Sequence, residues 1–396
     1  MNNGSAPSEL RAQLALAIPL AAQQLGFQMM GLVDAAWLGR YSDTALAAAG
    51  IGNNLLFAIT SIGLGIVMGL DTVIPQALGA GRTEDARRFL HAGLRIAVLI
   101  GLASTLVVMA TPLLLDVADV PADVAEEARV YVYLRAAGVV PFLLSVALRS
   151  YLAARNVTRP LIIAVVVGNL ANAVLDYFLI FGVDAIGLPP LGVIGAALAT
   201  ITVQVVIVFV YVASARAVNR DEPRPTSTRA DLAEVLRYGL PVGGQLFAEV
   251  GIFGVATMLA ANLGTVPASA HTIALTVSSC TFSAAVGVGS ATAVRVGHAI
   301  GAGDVALARH RGAWKTMGPF RLGRLGILVA WIAVLWSIGV LVVCSLPPNQ
   351  LPAAMLAGAL LLLAGLYLTV VRKHFEGPRV KLAALESLLA SNQPAA

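Results

Sequence analysis

Long apolar segments recur along the whole chain, and they constrain its fold more than any other feature. The 396 residues are 58% hydrophobic and 12% charged, and the mean hydropathy is +0.84. About 20 consecutive apolar residues are enough for a helix to cross a bilayer. The sequence therefore predicts an all-α polytopic membrane protein rather than a soluble domain. Ten spans are predicted, at 12–38, 45–78, 92–115, 128–148, 160–181, 191–213, 239–263, 268–299, 325–346 and 351–371.

The loops between these segments alternate in charge. One set is rich in arginine, as at Arg82, Arg87 and Arg88, whereas the other set is acidic or nearly uncharged, as in 116–127. Basic loops remain on the cytoplasmic side of a membrane. We therefore expect an inner (plasma) membrane protein with both termini in the cytoplasm. Because the basic residues lie in these short loops, the net charge of +5 indicates orientation and not nucleic-acid binding.

The sequence repeats itself with an offset of 222 residues. Pro19-x-x-x-Gln23 matches Pro241-x-x-x-Gln245, and the Gly-Ala-Gly at 79–81 matches the one at 301–303. An even number of spans in each repeat indicates two lobes of the same orientation, the parallel-repeat plan of several secondary transporters. The polar, proline-containing stretch 215–236 is the expected cytoplasmic linker between the lobes.

Four polar residues lie at similar depth within the predicted spans of the first lobe. A carboxylate facing lipid costs several kcal/mol, so such residues normally face a bundle interior, a cavity or an ion. Two carboxylates with an amide and a hydroxyl form an all-oxygen set, which suits a hard cation such as Na⁺ or a shared proton. The alternative is a helix cap and interhelical hydrogen bonds. The predicted cation-binding residues are Asp34, Asn172, Asp176 and Thr200, with Na⁺ possible at Asp34 and Asp176.

A second set of residues is predicted to contact an organic substrate. Glu249 is the only carboxylate within a second-lobe span, and the others are amides and a flexible apolar side chain. Helix packing is the alternative for each of them. The substrate-binding candidates are Gln23, Gln28, Met29, Gln245 and Glu249. We find no metal-ligand spacing and no ATP-binding motif, so we expect no cofactor other than Na⁺ or H⁺ as the coupling ion.

Several motifs resemble those of the multidrug and toxic compound extrusion (MATE) family, in the right order, over about residues 10–317. They include GLVDAAWLGR (31–40), GLDTVIPQALGAGR (69–82), NAVLDYFLIFG (172–182) and SATAVRVGHAIGAG (290–303). The resemblance implies helices in two six-helix lobes facing a central cleft, and exchange of Na⁺ or H⁺ for an organic, often cationic, substrate. It also implies a first-lobe cation site at Asp34, Asn172, Asp176 and Thr200.

From residue 318 onward the sequence resembles instead the C-terminal end of an amino acid permease of the amino acid–polyamine–organocation type. The chain is therefore expected to be a fusion with a six-helix first lobe and an incomplete second lobe. The expected divisions are an N-terminal tail at 1–11, a first lobe at 12–214, a linker at 215–236, the start of a second lobe at 237–317, permease-like helices at 318–371 and a cytoplasmic tail at 372–396.

The function expected from these features is cation-coupled efflux of organic drugs or metabolites by rocking of two lobes. One alternative is an inactive or regulatory truncated fusion without a transport cycle, and a weaker one is an amino acid transporter. No catalytic motif is visible, so we do not expect an enzyme. The expected partners are small organic substrates and the lipid bilayer, with the protein itself a monomer.

Overall fold

The computed structural model describes residues 6–115, 120–220, 222, 225–262 and 265–302, and this part of the chain is helical throughout. A single isolated bridge, between Val183 and Leu188, is the β-pairing within it. The prediction of an all-α fold is therefore confirmed for these residues. The helices are α1 (Ala6–Tyr41), α2 (Asp43–Val67), α3 (Leu70–Gly79), α4 (Thr83–Ala110), α5 (Ala122–Ala136), α6 (Val139–Ala154), α7 (Arg159–Phe181), α8 (Val193–Val218), α9 (Arg229–Asn262) and α10 (Thr265–Gly301).

Helices occur at each of the first eight predicted spans, but two of these spans are interrupted. The second is divided into α2 and α3 at Met68 and Gly69, and the fourth into α5 and α6, which meet at a bend of 45°. In the described residues, five segments are long and apolar enough to cross a membrane, or six if the bent pair is one span. Apolar composition predicts a span but not its kinks, which depend on local glycine and packing. The predicted spans at 325–346 and 351–371 lie outside the described residues.

Two separate apolar clusters form the core of this bundle. The large cluster has members on α1 to α4 and on α6 to α10, with Leu70, Leu148 and Tyr151 fully buried. The small cluster has members on α1, α2 and α4 to α8, and it includes the buried Leu38 and Tyr131. Helices α1, α2, α4, α6, α7 and α8 contribute to both clusters, so a layer between the two clusters crosses these helices.

Helices from one sequence repeat pack against helices from the other repeat. The principal partner of α1 is α10, and that of α2 is α9. The backbones approach very closely, since a Cβ added to Gly65 would lie 2.5 Å from Gly243 Cα, and one added to Gly79 would lie 2.1 Å from the His298 carbonyl oxygen. Only glycine, which lacks a Cβ, permits such approaches. The GAG turn after α3 therefore lies directly against the end of α10.

One buried ion pair joins α3 to α6. Arg149 Nη2 donates to Asp71 Oδ2 at 3.3 Å, and the two side chains are 9% and 13% exposed. Arg149 lies near the end of the predicted span 128–148, and α6 continues past it to Ala154. Removing either partner of such a pair leaves an uncompensated buried charge.

Candidate functional site

The four predicted cation-binding residues lie in the layer between the two apolar clusters. On α1, Asp34 is one turn from Met30 of the large cluster and one turn from Leu38 of the small cluster. On α8, Thr200 lies between Ala197 of the small cluster and Val203 of the large one. The α7 pair, Asn172 and Asp176, lies likewise between Ala164 and Ile180. The three helices thus present their polar residues at one level.

Direct contacts join these residues across the helices. Thr200 Oγ1 lies 2.9 Å from Asp34 Oδ2, to which it donates, and 2.9 Å from the Ala196 carbonyl oxygen within its own helix. The Asp34 and Asp176 carboxyl groups are close enough to interact electrostatically. Two carboxylates accept but cannot donate, so a hydrogen bond between them requires one proton. The spacing of Asn172 and Asp176 by four residues puts both on one face of α7.

Burial makes this group costly without a further partner. Asn172 and Asp176 are 0% exposed and Asp34 is 5% exposed. Within the described residues no hydrogen-bond partner is present for Asp34 Oδ1, for either Asp176 oxygen, or for the amide oxygen and nitrogen of Asn172. Each such buried polar atom costs about 1–3 kcal/mol. A cation or a proton between these oxygens would satisfy several of them at once.

The chemistry of this donor set fits a small monovalent cation. The described residues hold no group of three or more His, Cys, Asp or Glu side chains that could bind a metal ion. Calcium sites use six to eight oxygen ligands, with several carboxylates. Two carboxylates with neutral oxygens have the lower charge that suits Na⁺ or H⁺.

Three neighbouring residues extend the site and were not singled out from the sequence. Asn53 Oδ1 on α2 lies 3.4 Å from both Tyr131 Oη and Arg135 Nη2, and both groups belong to α5. The Arg135 guanidinium is within electrostatic range of Asp176. Arg135 could have been singled out from the sequence, because it is a charged residue inside the predicted span 128–148.

An aromatic group joins α1 and α7 near the candidate site in the sequence. The Trp37 ring lies 5.4 Å from that of Tyr177 and 6.0 Å from that of Phe181, both edge-on. Trp37 follows Asp34 by three residues, and Tyr177 follows Asp176 directly. Arg40 lies over the outer face of this group, 5.4 Å from the Trp37 ring centroid. The aromatic contacts therefore hold α1 against α7 next to the two carboxyl residues.

The predicted substrate contacts differ in their surroundings. Gln23 is 1% exposed and its Nε2 donates to Tyr211 Oη at 3.0 Å, so it holds α1 against α8 rather than facing an open cleft. Gln28 and Glu249 are half-buried, whereas Gln245 is exposed and Met29 is 50% exposed. The structure does not join these five residues into one site.

Comparison with known proteins gives consistent matches. The family model MatE matches residues 19–178 and 241–336. The probable multidrug resistance protein NorM of Bradyrhizobium diazoefficiens is 35% identical, over 76% of this chain and 65% of its own length. The corresponding protein of Rhizobium meliloti is 31% identical, over 77% of this chain and 66% of its own length. The chain thus spans about two thirds of the length of these relatives.

Solved structures share the fold. The eukaryotic MATE transporter AtDTX14 superposes with a TM-score of 0.70, at 21% identity, over 77% of this chain and 68% of its own. An outward-facing multidrug resistance MATE family transporter of the MOP superfamily superposes with a TM-score of 0.65, at 24% identity, over 74% and 66%.

The comparisons do not support the permease-like segment. The MatE match continues through residue 336, beyond the junction expected at 317. A membrane helix of apolar residues flanked by arginines occurs in many unrelated transporters, so a local resemblance of this kind is weak. The whole of the expected segment, 318–371, lies outside the described residues.

The family model covers most of the chain in two blocks, at 19–178 and 241–336. These blocks correspond to the two repeats found in the sequence. Their helices form the fold of solved MATE transporters. The prediction that the chain is not an enzyme is confirmed by the same matches. The chain belongs to the MatE family of multi-pass membrane transporters.

Proposed function

We propose that the chain is a secondary active antiporter that exports small organic, often cationic, drugs or metabolites in exchange for Na⁺ or H⁺. The observation that supports this proposal most strongly is the buried group of Asp34, Asn172, Asp176 and Thr200, with five polar atoms that lack a partner in the described residues. The relatives are described as multidrug resistance proteins, which supports the class of substrate.

In this proposal the cation reduces the negative charge of the two carboxyl groups. Two like charges in a buried layer repel and are poorly solvated. Binding of Na⁺ or H⁺ relieves both costs and favours one arrangement of α1 against α7 and α8. Substrate favours the other arrangement, so the two ligands drive the lobes in opposite directions. The lobes rock about their pseudo-symmetric interface.

The proposal includes an orientation and a division of the chain. Both termini and the basic loops lie in the cytoplasm, and the membrane is the plasma membrane. The first lobe comprises residues 12–214, the linker 215–236, and the second lobe begins at 237. The protein acts as a monomer, and Gln28, Met29, Gln245 and Glu249 are proposed to line the path of the substrate.

Efflux of a fluorescent organic cation tests the proposal. We would express the full chain in a strain that lacks its own drug pumps and measure ethidium accumulation, together with ethidium transport in everted vesicles under imposed Na⁺ or H⁺ gradients. The chain should lower accumulation, and Asp176→Asn should abolish gradient-driven transport while its amount in the membrane is unchanged. Arg159→Gln, an exposed change at the other end of α7, is the matched control and should retain transport.

Other outcomes separate the alternatives. Unchanged ethidium accumulation with the protein present in the membrane, and a flat response to both gradients, would support the inactive or regulatory membrane protein. Full gradient-driven efflux by Asp176→Asn would show that the coupling site lies elsewhere.

A further inference from the structure

The connection between α8 and α9 lies against the first repeat and is shorter than the sequence predicted. The expected linker was 215–236, whereas α8 continues to Val218 and α9 begins at Arg229. Where the chain leaves α8, Tyr151 Oη on α6 donates to Asn219 Oδ1 at 2.7 Å. The first repeat therefore holds the connection at its beginning.

Arginines of α4 hold the connection at two further points. Arg87 Nε lies 2.8 Å from Glu222 Oε2, and the two side chains are 8% and 36% exposed. Further along α4, Arg95 Nη1 donates to the Ser227 carbonyl oxygen at 3.2 Å. An ion pair with one buried partner is screened less by salt than one between two exposed side chains. The connection is thus held by contacts with a helix and is not a free tether.

Asp231 joins the start of α9 to the same helix. Its Oδ2 accepts from the Thr228 backbone nitrogen at 2.7 Å and from Thr228 Oγ1 at 2.9 Å, and its own nitrogen donates to Thr228 Oγ1 at 3.2 Å. These reciprocal bonds satisfy backbone groups that the first turn of a helix leaves unpaired. The same Oδ2 lies 4.0 Å from Arg88 Nε on α4. The group that begins α9 is therefore also paired with a charge of α4.

The turns of α9 that follow are packed closely into the first repeat. Val235 is 0% exposed and belongs to the large apolar cluster. A Cβ added to Gly69, between α2 and α3, would lie 2.7 Å from the Val235 carbonyl oxygen. One added to Gly239 would lie 2.1 Å from the Ile66 carbonyl oxygen. Because these are backbone contacts, α9 can leave this position only if its start also moves away from α4.

We propose that Asn219, Glu222, Ser227 and Asp231 form a conformational strap, which keeps the start of α9 against the first repeat while α4 and α6 hold it. The two repeats then separate at this end only when the strap is released. A free linker of about ten residues spans roughly 17 Å, so the contacts with α4, and not the length of the chain, oppose the separation.

The strap goes beyond the proposed function and does not depend on it. None of its residues belongs to the buried layer of Asp34 and Asp176, and neither the coupling ion nor the substrate enters the argument. In the proposed orientation this end of the bundle faces the cytoplasm, so release of the strap would accompany opening on that side.

Pulsed electron spin resonance on the purified full chain measures both events without any need for transport. Spin labels at positions 84 and 226 report whether the strap lies on α4, and labels at positions 82 and 302 report whether α3 and α10 are apart. All four positions are exposed. The native cysteines are replaced by serine.

The variants remove charge and keep the shape of the side chain. Glu222→Gln and Asp231→Asn should each raise the ratio of released to held strap by about two- to fivefold, and the double variant by about 4- to 25-fold if the two pairs act independently. Both label pairs should then show an added longer-distance component. The amide oxygen of Asp231→Asn still accepts from Thr228, so the start of α9 keeps its cap. Glu234→Gln, which changes an exposed acid further along α9, is the matched control and should retain the wild-type distances.

If the double variant does not fold, the wild-type chain takes its place in a series of potassium chloride concentrations. Raising the salt from about 0.01 M to about 1 M shortens the Debye length from about 30 Å to about 3 Å. The weakened ion pairs should then give the same longer-distance components in both label pairs.

Two results would overturn the inference. Wild-type distances for both label pairs, in the double variant or throughout the salt series, would show that the ion pairs do not hold the strap. A longer distance between positions 84 and 226 alone would show that the strap is released without separation of the repeats. Neither result bears on the cation site, which Asp176→Asn tests separately.

Discussion

A close backbone approach between the two repeats allows a sharp test of the arrangement in which α3 and α10 are in contact, here called closed. Gly79 ends α3 against α10, and a Cβ at this position would lie 2.1 Å from the His298 carbonyl oxygen and 2.7 Å from its carbonyl carbon and Cα. These are backbone atoms, so no side-chain rotation can relieve the contact. Gly79→Ala should therefore separate the end of α3 from α10.

The size of the effect follows from this geometry. To reach ordinary van der Waals contact at 3.4 Å, the Cβ and the oxygen must move apart by about 1.3 Å. Insertion of one carbon into a packed interface costs about 1–3 kcal/mol. Because 1.4 kcal/mol is tenfold in an equilibrium constant, the ratio of closed to open molecules should fall by about 5- to 150-fold. Packed helix interfaces change between discrete arrangements and do not deform continuously, so we expect a second population in which α3 and α10 are apart.

Pulsed electron spin resonance between labels at Arg82 and Ala302 measures this ratio. Both residues are exposed and flank the contact, and the native cysteines are replaced by serine. Gly79→Ala should produce a longer-distance population. Gly289→Ala is the matched control, because a Cβ at Gly289 on α10 meets nothing within 4 Å. Identical distance distributions for Gly79→Ala and wild type would refute the reasoning, since the helices would then tolerate the added carbon.

Three further predictions concern other parts of the molecule. Asp34→Asn and Asp176→Asn should each abolish gradient-driven ethidium transport in vesicles. The double variant should lose no more of the cation-dependent gain in thermal stability than either single variant, because the two residues act as a unit. Additive losses would show two separate sites. Arg149→Met should lower the free energy of unfolding in denaturant by about 3–5 kcal/mol, and adding Asp71→Leu should restore most of that loss. If the double variant restores nothing, the broken ion pair is not the cause of the loss. A green fluorescent protein fused after Ala396 should fluoresce, because the proposed orientation puts the C-terminus in the cytoplasm. An alkaline phosphatase fusion there that proved active would contradict this orientation.

The helical fold and its main polar residues were predictable because both depend on local properties. A run of apolar residues predicts a span by its length, and eight of the predicted spans coincide with helices in the described residues. An acidic residue within such a run is conspicuous wherever it packs, which is why Asp34 and Asp176 were identified. The spacing of Asn172 from Asp176 follows from the helical repeat.

The partners of these residues were not predictable, because they are far apart in the sequence. The hydrogen bond between Thr200 and Asp34 joins residues 166 positions apart, and Asn53 meets Arg135 across 82 positions. Gln23 was predicted to contact a substrate, and nothing in the sequence indicated that its Nε2 donates to Tyr211 on α8. A polar residue within a span has the same sequence signature whether it binds a ligand or a neighbouring helix.

The sequence by itself determined that the chain is a helical membrane protein with repeated halves and two buried carboxyls. Burial of apolar surface and the cost of charge in lipid operate residue by residue, so composition and spacing suffice for these conclusions. Only the tertiary structure decided that the polar residues form one layer between two apolar clusters. That layer depends on the relative heights of α1, α5, α7 and α8, which are determined by packing between helices and not by any one of their sequences.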